Sequence, residues 1–446
     1  MEKMNSPSDE ILKQAITEVQ EPVLFQQMLQ DATGAYNWKL LEWSLVELAE
    51  KFGDIKLPFR VGYNAKSMGP QWEVNCPIIS MTLSEFIRNV GPNGNDKRWY
   101  YFDYKYMHEW FKDKPEIMSS VSWKRFGFDK TGSESTLWIG NKGAHTNCHQ
   151  DSYGCNLIAQ IHGKKQWLLF PPSSSNFLHP TRVPYEESTV YSRYNFFCPT
   201  EEDEINILKI QHKPKLVTLE PGDVLLVPAG WWHYVESLDL SVSVNTWLPI
   251  ITDNVSRVKE AIVKLIVARI GENVYDTSDK ARCSLSYCMK LVMYYRICIN
   301  ITSDTIAFIL AQYPMYVKFL LEPKTTELEG FLKTKRERFS GVDIDKVEGN
   351  SSKTNCNVQN SISSFQQLSD DIVNALCHPD VVNKVADLLL SYFEDIEIMV
   401  TSRQAIGVLK LFIVFKLYRF KKWSKLYLPR VELRLEIPIV STSLPC

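Results

Sequence analysis

Between Trp99 and Leu248 the chain reads as a succession of short aromatic and β-branched runs, each cut by a turn signal. The cuts are Phe170-Pro171-Pro172, Glu220-Pro221-Gly222-Asp223 and Pro228-Ala229-Gly230. Proline and glycine at that spacing break helices and suit short strands, so an antiparallel sandwich or barrel is expected here.

Helical signals flank this region. Leu45, Leu48, Ala49 and Phe52 fall on one face of a segment within Leu40–Asp54, with Ser44 and Glu47 as a capping box and Gly53 at its end. Thr82 and Glu85 predict a second box, ahead of Leu83, Phe86 and Ile87. After Pro249, Val255, Val258, Ile262, Leu265, Ile266 and Ile270 predict an apolar helix stripe, and amphipathic segments continue to about Leu321. Residues 341–363 are polar and Ser/Asn-rich and read as a linker. The expected organisation is a tail over 1–20, a β domain with helical lead-in over 21–250, helices over 251–335, a linker over 336–365 and a helical end over 366–446.

Composition excludes several classes. A net charge of −2 argues against coating nucleic acid through bulk charge. The ten cysteines form no C-x-x-C pair, which predicts reduced thiols in a cytoplasmic or nuclear setting. Neither a signal-like start nor a membrane-spanning apolar run is read from the sequence, so a soluble protein is expected. Residues 410–430 carry seven basic side chains and no acid. They suit a solvated helix face, or else a surface for an acidic partner or membrane.

Chemistry concentrates in His145-Thr146-Asn147-Cys148-His149-Gln150-Asp151, followed 82 residues later by His233 in Trp231-Trp232-His233. On a strand, His149 and Asp151 point to one side, about 7 Å apart. Two imidazoles and a carboxylate on one side of a metal make the facial triad of Fe(II) oxygenases, which leaves coordination positions open. An H-x-D alone is a weak signal. The turn at Pro221-Gly222-Asp223 and the run Val224–Val227 strengthen it, because they allow a distant strand to deliver His233. Lys165 shares a strand face with Trp167 and Leu169. If that face is inward, the lysine requires an anion. Otherwise Lys164 and Lys165 are charges on a solvated edge.

These runs, from Trp138-Ile139-Gly140 to Pro172, Leu219 to Ser237 and Val244 to Trp247, resemble the Jumonji-C family, most closely its asparaginyl hydroxylase branch. The N-terminal elements Glu21-Pro22-Val23, Trp43-Ser44-Leu45 and Met81–Phe86 fit its lead-in. The resemblance implies a cupin-like double-stranded β-helix (jelly roll) using Fe(II) and 2-oxoglutarate. It implies His149, Asp151 and His233 as both metal ligands and catalytic residues. It sets 2-oxoglutarate against Lys165, Thr146, Asn156 and Asn245, with Tyr100 as a further contact. One residue more than the family pattern precedes Ala159-Gln160, which predicts a bulge near Tyr153-Gly154. In this family Asp occurs in hydroxylases and Glu in many histone demethylases, so Asp151 leans away from demethylation; a hydroxylase of a protein side chain is the favoured expectation. The resemblance also implies small heat-shock proteins as a partner and dimerisation through later helices, near Leu291–Tyr295 and Phe308–Leu310. A binding protein that keeps the site remains an alternative, as does an RNA nucleobase hydroxylase, whose support is the basic stretch.

Overall fold

The computed structural model describes residues 9–31, 33–67, 69–90, 97–210, 214–271, 317–339 and 364–397. Fifteen strands are found among them. In chain order they are β1 (Val23–Phe25), β2 (Leu57–Tyr63), β3 (Ile78–Met81), β4 (Arg98–Tyr106), β5 (Thr136–Gly140), β6 (His145–Asp151), β7 (Cys155–His162) and β8 (Lys165–Phe170). There follow β9 (Pro180–Thr181), β10 (Thr189–Ser192), β11 (Lys215–Leu219), β12 (Val224–Val227), β13 (Trp232–Ser237), β14 (Ser241–Leu248) and β15 (Val317–Phe319). The chain divides into two compact units, Met1–Val382 and Asn383–Cys446, and all strands lie in the first.

The strands form two antiparallel sheets. One has nine strands in the order β15-β1-β12-β7-β14-β5-β4-β2-β3, and the other six, β11-β8-β13-β6-β10-β9. Among the described residues neither closes on itself and no ladder joins them, so the expected double-stranded β-helix barrel gives way to a mixed α/β fold with two open sheets and flanking helices. The edges explain this. β9 is two residues long and begins with Pro180, which has no N–H to donate. β3 is a four-residue edge whose Ile78 is 68% exposed, and β15 is three residues long. Such short edges end a sheet instead of extending it.

Three apolar clusters position the site. The largest packs one face of the nine-stranded sheet, through Phe59, Phe102, Leu157 and Val244, against Leu12, Ile16 and Phe52 from the N-terminal helices Asp9–Glu18 and Leu45–Phe52. A second covers the back of the six-stranded sheet, where Leu168, Phe170, Trp232 and Tyr234 meet Leu328, Phe331 and Leu332 of the helix Thr325–Glu337. The third lies between the sheets, joining Ile158, Leu225 and Val227 to Trp167, Leu169 and Val235.

Both predicted capping boxes form. Glu47 N donates to Ser44 Oγ at 3.3 Å and Ser44 N to Glu47 Oε2 at 2.8 Å, and Gly53 takes φ +64° at the helix end. Thr82 and Glu85 reciprocate ahead of the helix Leu83–Val90. The helix Asp253–Gly271 is turned relative to the predicted stripe: Val258, Val263 and Val267 are buried, while Leu265 is 46% exposed. Its buried Glu260 is ion-paired with Arg182 and draws that face inward. The predicted segments 291–295, 308–310, 341–363 and 410–430 lie outside the described residues.

Candidate metal centre

β6 and β13 are neighbours, and His149 pairs directly with His233 across them. Alternation puts Asp151 on the same side of β6. The third ligand thus arrives on a strand hydrogen-bonded to the first two, and the ring centroids of the two histidines lie 4.2 Å apart. One ligand atom from each of His149, Asp151 and His233 lies within 4.8 Å of the others, so the three could hold a metal ion. His149 Nε2 is 3.8 Å from Asp151 Oδ1.

The tautomers suit this role. His149 Nδ1 is 2.8 Å from the carbonyl of Asn147, and His233 Nδ1 is 2.9 Å from that of Trp231. Each carbonyl accepts the Nδ1 proton and leaves a free lone pair on Nε2, the arrangement that metal-bound histidines favour. Burial, and then the neighbouring His149, push the His233 imidazole down to about 4, against the pull of Asp151. It is therefore neutral at physiological pH. Trp247 Nε1 donates to Asp151 Oδ2 at 3.4 Å, and the Trp167 ring stacks on His233 with centroids 5.7 Å apart.

The triad opens into a cavity of about 380 Å³ between the two sheets. Lys165 lies in its wall, 2% exposed, donating to Ser243 Oγ at 2.8 Å and Tyr101 Oη at 3.1 Å. Burial, opposed by Asp103, pushes the Lys165 ammonium down to about 7. The solvated-edge reading holds for Lys164, which is exposed and paired with Glu220, and not for Lys165.

Thr146, Asn156 and Asn245 also line the cavity. Asn245 donates from Nδ2 to Asn156 Oδ1 and accepts at its own Oδ1 from Trp138 Nε1, both at 2.7 Å. Around Tyr153-Gly154 the chain makes a bend between β6 and β7, with Gly154 at φ +74°, in place of the expected strand bulge. Asn156 therefore keeps register with both Val227 and Trp247. Tyr100 is placed elsewhere: alternation along β4 turns it toward Phe86 in the largest core cluster, and its neighbour Tyr101 faces the cavity.

The lining residues that sequence reasoning missed include Tyr101, Ser243, Arg60 and Tyr104. Ser243 stands two before Asn245, so period-2 alternation could have found it. Arg60, buried against Asp103 with Nε–Oδ2 of 2.8 Å, carried no local signal. Tyr104 enters through a register shift in β4 between Phe102 and Lys105, with φ +56°.

The chain belongs to the cupin-like domain family, whose model matches residues 8–253, more than half of its length. It is 40% identical over 281 residues to the HSPB1-associated protein 1 of Rattus norvegicus, covering 60% of this chain and 57% of that protein. It is 41% identical over 279 residues to the HSPB1-associated protein 1 of Homo sapiens, covering 59% and 56%. The chain thus spans little more than half the length of these relatives. A weaker likeness, 26% over 258 residues, relates it to lysine-specific demethylase 8 of Xenopus tropicalis, covering 55% of this chain and 52% of that protein. Among the described residues, no helix is long and apolar enough to cross a membrane.

Proposed function

We propose that the chain is an Fe(II)- and 2-oxoglutarate-dependent oxygenase that hydroxylates a protein side chain. The carrying observation is one cavity that holds both a convergent His149–Asp151–His233 donor set and a buried Lys165 whose hydrogen-bond partners are hydroxyls. The donor set fits the metal: two imidazole Nε2 atoms and a carboxylate on one side suit Fe(II) with open positions. The lysine fits the cosubstrate, because a buried ammonium calls for an anion. When bound, the metal with its cosubstrate and O₂ would supply hydroxylation of a C–H bond, one oxygen atom going to the new hydroxyl and the other to succinate as carbon dioxide is released.

In this reading, His149, Asp151 and His233 hold the metal, while the Asn147 and Trp231 carbonyls keep both imidazoles in the ligating tautomer. Lys165 receives the far carboxylate, and Tyr101 and Ser243 hold its ammonium in place. Thr146, Asn156 and Asn245 wall the cosubstrate, with Trp138 fixing the Asn245 amide. Trp167 and Trp247 exclude water around the triad. We assign this chemistry to residues 21–250.

A second role is supported by the relatives' name: association with a small heat-shock protein, as substrate or as partner. Anaerobic titration with Fe(II) and 2-oxoglutarate, followed by a succinate assay with and without a small heat-shock protein, tests both. Stoichiometric Fe(II) binding and 2-oxoglutarate-dependent succinate are expected. A protein that binds neither refutes the oxygenase reading.

A further inference from the structure

We propose that the indole N–H of Trp167 is an additional donor to the cosubstrate, directed at its metal-proximal carboxylate. The inference rests on the oxygenase reading above and deepens it. Trp167 lies on β8 between Lys165 and Leu169 and is 5% exposed. Its Nε1 is buried and has no hydrogen-bond partner. Native proteins leave few buried donors in that state, and an orphan beside a cavity points to a ligand.

The other indoles near the site are bonded. Trp138 donates to Asn245, Trp231 to the carbonyl of Gln20, Trp232 to Ser175 and Trp247 to Asp151. Trp99 Nε1 is also unbonded, but Trp99 does not line the cavity. Around Trp167 the packing is apolar: its cross-strand neighbours are Val217 and Val235, and its cluster adds Leu24, Ile158, Leu219 and Leu320. These side chains offer no acceptor. The remaining side is the cavity, where the ring stacks on the metal-ligating His233 at an interplanar angle of 27°.

The position selects the ligand's chemistry. Lys165 and Trp167 are two residues apart on one strand face, about 7 Å along β8. A short dicarboxylate with one end on Lys165 would set its other end at the triad, beside the Trp167 ring. The acceptor is then a carboxylate oxygen, for which an N–H donor gives a charge-assisted bond.

Calorimetric titration of the Mn(II)-loaded full chain, without oxygen or substrate, tests this with 2-oxoglutarate and with oxalate, which lacks the distal carboxylate. Trp167→Phe keeps an aromatic ring on His233 and removes the donor. It is expected to weaken both ligands by about ten- to a hundredfold at unchanged Mn(II) affinity. Lys165→Met is expected to weaken 2-oxoglutarate and spare oxalate. If wild-type protein does not bind 2-oxoglutarate, the oxygenase reading fails. If wild type binds and Trp167→Phe binds equally well, or loses 2-oxoglutarate but not oxalate, the Trp167 assignment is overturned. Should Trp167→Phe not fold, Zn(II)-loaded wild type decides by NMR. The indole N–H in Overhauser contact with the His233 ring must shift downfield on adding oxalate, and an unmoved signal overturns the proposal.

Discussion

Binding of 2-oxoglutarate should be coupled to uptake of a proton by Lys165. Burial takes its ammonium from the ordinary 10.5 down to about 7, with Asp103 opposing the fall. That displacement corresponds to roughly 5 kcal/mol of penalty on the charged form. A carboxylate at 2.7–2.9 Å would reverse much of it, because charge-assisted bonds strengthen when water is excluded. The sign follows. Below pH about 7 free Lys165 is already charged and affinity is flat; above it, each binding event must recharge the lysine. Affinity should then fall about fiftyfold between pH 7 and 9. Proton uptake should be roughly half a proton at pH 7 and about nine-tenths at pH 8. Calorimetry in buffers of differing ionisation enthalpy measures both, on Mn(II)-loaded protein without oxygen. Lys165→Met should bind about ten- to a hundredfold more weakly at pH 7, with the slope abolished. A wild-type affinity that is flat from pH 7 to 9, without proton uptake, would refute the reasoning.

His149→Ala, Asp151→Ala and His233→Ala should each abolish stoichiometric Mn(II) or Fe(II) binding and leave the circular dichroism spectrum unchanged; a variant that keeps wild-type metal affinity removes its residue from the ligand set. Glu236, on β13 three residues after His233, meets Lys335 and Arg338 of the covering segment, each at 2.5 Å. Burial alone would raise its carboxyl, but the two cations outweigh that and hold it at about 2. Lys335 is itself lowered by burial, which returns part of the gain. Glu236→Gln should therefore cost about 2–3 kcal/mol at pH 7 in urea unfolding. The deficit should shrink as pH falls from about 4.5 toward 2, where the native carboxylate is lost; a deficit that is constant with pH assigns the loss to packing. If small heat-shock protein binding resides away from the metal, His149→Ala should still capture that partner in a pull-down, and loss of capture by folded protein marks the partner as a substrate.

Local patterns carried much of the site. Period-2 alternation alone places His149 and Asp151 on one side of β6, and Lys165, Trp167 and Leu169 on one side of β8, because a strand's faces are fixed by its pleat. The boxes at Ser44 and Thr82 are equally local, each closing within three residues of sequence. What lay beyond reach depends on which strands become neighbours. Direct pairing of His233 with His149 is a fact of sheet order, and so are the open edges at β9 and β3 that replace the expected closed barrel. The choice of Tyr101 over Tyr100 turned on one residue of register in β4, and a one-residue shift exchanges the faces of a strand. Arg60 reached the cavity wall, and Glu260 rotated its helix, through ion pairs to Asp103 and Arg182 that are distant in sequence. The sequence by itself determined which side chains share a face; tertiary structure decided which faces meet, since burial of a charge is settled only when its partner arrives from another element.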